Sequence, residues 1–178
     1  MKRQEETAPR ESSGDGFRAF GRTYKSERAA VVSLIDKICA GEANAAEAFS
    51  EWADQCTTQS LRSALRMVAE REASHARVFE RRMRDLGAER RARATAEGEH
   101  LRTYLSDPHR SDAEKLRKFV HVTGDPAAVL EPIRDFAERL AEDLETREAL
   151  WLFVDSEDST LKWAQSACST LGGSKPKA

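Results

Sequence analysis

Four long stretches of the chain repeat apolar residues every three to four positions, and each predicts one amphipathic helix. The first runs from an N-cap at about Ser26 to about Cys56, with the stripe Ile35, Ile38, Glu42, Ala45, Phe49, Ala53, Cys56. Thr57 and Thr58 break it, and either can cap the second helix. That helix ends at Gly87 and carries the stripe Leu61, Leu65, Val68, Glu72, His75, Phe79, Met83, Leu86. Gly124-Asp125-Pro126 opens the third, with Asp125 as N-cap and Pro126 at its first position. It is expected to end near Asp143, with the stripe Val129, Ile133, Phe136, Leu140, Leu144. The fourth runs from about Thr146 to Leu171, stopped by Gly172. Its stripe is Leu150, Phe153, Glu157, Thr160, Leu161, Ala164, Cys168, Leu171. Nothing alternates with period two, so no strand is expected.

Residues 88–124 form the connection between the second and third helices. They hold a polar, Arg-rich helical piece from Glu89 to about Leu105, then a short helix opened by the capping box Ser111-Asp112-Ala113-Glu114. Residues 1–25 read as a disordered arm and 172–178 as a flexible tail. Two helical hairpins joined by a long crossover predict an all-α four-helix bundle over residues 26–171.

Three of the four stripes carry a glutamate at mid-helix: Glu42, Glu72 and Glu157. Burying a bare carboxylate costs several kcal/mol, so a neutralising partner is expected at that depth. Glu42 lies 15 residues before Thr57 and Glu72 lies 15 after it, which brings the two level in an antiparallel hairpin. His75 sits one turn from Glu72 on the same stripe.

Gly41-Glu42, Phe49, Trp52-Ala53, Glu72-Ala73-Ser74-His75-Ala76-Arg77 and Leu86-Gly87 together resemble the first half of a ferritin-like domain of the rubrerythrin type. Glu157-Asp158-Ser159-Thr160-Leu161-Lys162-Trp163-Ala164 resembles its partner helix with the histidine gone. The resemblance covers roughly residues 28–171 and implies an up-down-down-up bundle with one long crossover. It also implies inward Glu and Glu-x-x-His ligands for two metal ions. Glu42, Glu72 and His75 match one half of that set, and Glu157 matches the bridging carboxylate of the other. Val129 and Thr160 stand where a glutamate and a histidine are expected, which points to a reduced, one-metal site. Three carboxylates and an imidazole suit iron or manganese ahead of zinc. Metal binding in iron or oxidant handling ranks above oxidase chemistry, because two-electron reduction of peroxide is easier with two metals. The competing expectation is a metal-free bundle with a structural or interaction role, its glutamates relics protonated in the core. Glu131 is an outside candidate for the missing ligand on the third helix.

Composition narrows the partners. Across 178 residues, 29 Lys and Arg face 31 Asp and Glu, a net charge of -2, which argues against a general nucleic-acid binder. The Arg-rich stretch 77–93 is interleaved with Glu80, Asp85 and Glu89 and reads as a solvated face. No apolar run approaches the roughly 20 residues of a membrane span, and Met1-Lys2-Arg3-Gln4-Glu5-Glu6 shows no secretory leader. Cys39, Cys56 and Cys168 form no CxxC pair, so reduced thiols in a cytoplasmic, homodimeric protein are expected. With no four-cysteine electron-transfer module, a redox partner would be a separate protein.

Overall fold

The computed structural model describes residues 16–173. Among them the chain forms a two-stranded hairpin, β1 (Phe17–Ala19) and β2 (Arg22–Tyr24), and six helices. These are α1 (Glu27–Gln55), α2 (Gln59–Asp85), α3 (Ala96–Leu105), α4 (Asp112–Thr123), α5 (Pro126–Glu138) and α6 (Leu144–Gly173). The all-α class expected from the periodicity therefore holds, with the hairpin as an addition. No helix among the described residues is long and apolar enough to cross a membrane.

The expectation of a disordered arm without strands fails for residues 17–24, while residues 1–15 lie outside the described part. Phe20 (φ 49°) and Gly21 (φ 71°) make the tight turn, both in the left-handed region that two-residue hairpins require. Phe17 and Phe20 then close on Phe136, edge-on at 5.8 Å and stacked at 5.2 Å. Arg139 Nη1 donates to the Arg18 carbonyl at 2.7 Å. Long-range aromatic contact, not strand periodicity, fixes this segment.

Ser26 caps α1, its hydroxyl accepting from Ala29 N at 3.2 Å. α1 and α2 pack as an antiparallel hairpin along their whole length. Thr58 is the N-cap of α2 but makes no side-chain capping bond. Its hydroxyl is spent on Asp112, the first residue of α4. Asp112 Oδ2 accepts from the backbone N–H and hydroxyl of both Thr57 and Thr58 at 2.9–3.2 Å, and Oδ1 accepts from the Trp52 indole at 2.9 Å. One carboxylate thus ties α4 to the α1–α2 turn. Asp112→Ala is expected to cost about 2–3 kcal/mol in urea unfolding, since it orphans a buried indole N–H and several charge-assisted bonds.

The connection departs from expectation at its start. Residues 89–95 are not helical, because Asp36 on α1 accepts from the backbone N–H of Arg91 and Ala92, each at 3.0 Å. The helix begins only after Thr95, which caps it through Gly98 N. α3 packs on α1, and α4 packs on α6. The Ser111–Glu114 capping box forms as expected. Gly124 (φ 67°) breaks the chain between α4 and α5, and both helices lie against α6. α5 ends at Glu138, short of Asp143, because Glu27 accepts from the N–H groups of Ala141, Glu142 and Asp143 at 2.8–3.0 Å. α6 reaches Gly173, so Gly172 lies inside its last turn, and residues 174–178 are outside the described part.

The third stripe is also corrected. The buried line of α5 runs through Pro126, Leu130, Phe136 and Ala137, with Leu140 beyond its end. Val129 is 49% exposed and Leu144 is 50% exposed. The stripe drawn through Val129 is out of phase by one residue, and Val129 faces outward.

Asp112 and Asp143 also set the acid response. Burial alone would raise both carboxyls. Trp52 and Thr58 donate to Asp112, and Thr146 and Arg82 donate to Asp143, so both sit below the ordinary value of 3.8. A depressed folded pKa gives stability that is present above the unfolded value and lost as pH falls through the folded one. The difference in unfolding free energy between wild type and Asp112→Asn is therefore expected to shrink below about pH 4. A difference constant from pH 7 to pH 2.5 would contradict this.

Candidate metal centre

The hairpin register brings α1 and α2 together at the depth expected, and α6 closes the site from the other side. Glu42 on α1, Glu72 and His75 on α2, and Glu157 on α6 each offer one donor atom, all within 4.8 Å of one another. His75 Nδ1 is the hub. It donates to Glu42 Oε2 at 3.1 Å and lies 3.3 Å from Glu157 Oε1 and 3.7 Å from Glu72 Oε2. Glu72 is 2% exposed, and the other three are largely covered. Phe153 packs edge-on against the imidazole at 5.1 Å, with Phe79 behind it at 5.4 Å, so an aromatic pair fixes the ring plane.

The electrostatics are those of an over-charged pocket. Burial pushes Glu42 well above the usual carboxylate range. Burial would also raise Glu72, but contacts with His75 and Glu42 draw it below the ordinary value. Burial also raises Glu157. For His75, burial disfavours the imidazolium, but contacts with Glu157, Glu42 and Glu72 outweigh it and push the group up to about 11. Even so, Glu72 Oε1 is buried with no hydrogen-bond partner. A buried acceptor left unpaired costs about 1–3 kcal/mol, and a cation among these oxygens would relieve it. The residues present therefore fit one divalent metal ion.

The rest of the expected ligand set is not brought to this point. Val129 is on the outer face of α5. Glu131 is exposed and lies 4.0 Å from Arg134. Thr160, where a histidine was expected, is buried but turned to other work. Its hydroxyl donates to the Ser156 carbonyl at 3.3 Å and accepts from the Arg71 guanidinium, which also donates to the Ser156 carbonyl at 3.1 Å. An arginine from α2 thus reaches the α6 turn beside Glu157. The stripes did not flag Arg71, and its place directly before Glu72 was the available signal. Arg82, read as part of a solvated face, instead joins Asp143, Glu145 and Thr146 at 2.7–2.9 Å. Cys39 and Cys56 are buried, with burial pushing each thiol up to about 11, which leaves them inert. Comparison with protein-family models, with curated proteins and with solved structures gave no match.

Proposed function

We propose that Glu42, Glu72, His75 and Glu157 hold one first-row divalent ion, iron before manganese, and that the chain is a ferritin-like protein of iron or oxidant handling. The observation that carries this reading is the convergence of four donor atoms from three helices within 4.8 Å. The packing of α1 on α2, and of α5 on α6, supports an up-down-down-up four-helix bundle with α3 and α4 in the crossover. Bound there, iron would supply one-electron exchange with dioxygen or peroxide.

The chain's own residues supply the rest. Three carboxylates provide the charge, and oxygen-rich donors with one imidazole favour iron or manganese. His75 presents Nδ1 to the centre and becomes a ligand once the proton on that atom has left. Phe153 and Phe79 shield the imidazole and hold its plane. Arg71 occupies the Thr160 side through its own hydrogen bonds, where a second imidazole would be needed for a second ion.

One observation favours a second reading. His75 lies within 3.7 Å of all three carboxylates, so its imidazolium can serve as an internal counter-ion in a metal-free structural or interaction protein. Anaerobic loading with Fe(II), desalting and metal analysis separates the two. The metal reading predicts close to one iron per chain. A protein that retains none supports the metal-free reading.

A further inference from the structure

A cavity of about 240 Å³ lies beside α1, roofed by α3 and the loop that leads into it. Ala45, Ala48, Phe49, Leu101, Leu105 and Phe119 form its apolar wall. It exceeds the roughly 150 Å³ that is enough to hold a benzene ring. Two features set it apart from a packing defect. Asn44, which lines it, has a buried Oδ1 with no hydrogen-bond partner. Lys37 and Arg93 also line it, both exposed and neither in an ion pair among the described residues. The neighbouring carboxylates are already engaged. Asp36 caps the N–H groups of Arg91 and Ala92, while Glu47 and Glu51 pair with Arg102.

An apolar chamber with two uncompensated cations at its rim selects a particular ligand chemistry, the unpaired Asn44 oxygen being an acceptor to which a carboxylate has nothing to donate. We propose that this cavity binds a small monocarboxylate with an apolar body, an alkyl or aryl acid about the size of octanoate. The hydrocarbon part fills the chamber and the carboxylate meets Lys37 and Arg93. The affinity is modest and weakens with salt, because both cations face solvent. Gly41 lines the same chamber, and a Cβ built on it meets nothing within 4 Å. A larger side chain there enters the cavity without displacing backbone.

Calorimetric titration of the full chain with octanoate, octanol and octylamine tests this. Octanoate is expected to bind, and octylamine is not. Gly41→Leu abolishes the binding by filling the chamber. Lys37→Ala combined with Arg93→Ala weakens it roughly three- to tenfold, the effect expected of two exposed charges. Both variants are checked for a wild-type circular dichroism spectrum. No octanoate binding, octanol or octylamine binding as tightly as octanoate, or binding unaffected by both variants would overturn the proposal. Iron content measured on the same samples keeps the outcome separate from that of the metal centre, which shares none of these residues.

Discussion

Glu72→Ala is expected to lose metal altogether under conditions where the wild type retains about one ion per chain. Outer partners of metal ligands already cost about 10–100-fold in affinity when removed, so a direct, buried ligand should cost at least about a hundredfold. His75→Ala should behave alike, because Nδ1 faces all three carboxylates. For Glu72→Ala the loss should come without collapse of the fold. Glu72 Oε1 is unpartnered, so the metal-free cluster carries a desolvation cost that alanine removes. Metal analysis paired with thermal melts of the metal-free proteins checks both halves. A Glu72→Ala protein that is folded and still retains a full ion would show that the metal sits elsewhere.

The largest effect on stability is expected at Trp52. Its side chain is fully buried, stacks with Phe49 at 6.3 Å and donates to Asp112. Phe49 in turn meets Phe119 of α4 edge-on at 5.2 Å. Trp52→Ala opens a cavity among three helices and removes the donor to Asp112 Oδ1, at a cost of about 3–5 kcal/mol. For a chain of this length that lowers the melting temperature by roughly 10–15 °C. Trp52→Phe keeps most of the volume and should lose well under half as much. A melting temperature unchanged in Trp52→Ala would mean that α4 is not held to the α1–α2 turn as described.

The helices and the convergence of Glu42, Glu72, His75 and Glu157 were legible in the sequence for a common reason. A long helix with an uninterrupted period fixes which face is inside, and a short turn fixes which depths come level. The equal spacing of Glu42 and Glu72 about Thr57 is enough to bring them together, and Glu157 follows from the phase of Leu150 and Phe153. Phase failed where the element was short and interrupted. α5 has 13 residues, Pro132 within it, and glycine before it, so the stripe drawn through Val129 slipped by one residue and put it inside. The hairpin at 17–24 was hidden because three residues per strand carry no period. Contacts spanning many residues were equally invisible. Glu27 reaches the turn before α6, Asp36 pins the loop after α2, and Asp112 holds the turn between α1 and α2. Each is an ordinary acidic residue in the sequence, and tertiary structure alone gives it a partner.

Anomalous diffraction from crystals soaked in Mn(II) tests the central claim most directly. The account predicts a single strong peak within coordination distance of Glu42, Glu72, His75 and Glu157. Peaks confined to surface carboxylates, with this cluster still held together by the His75 imidazolium, would contradict it.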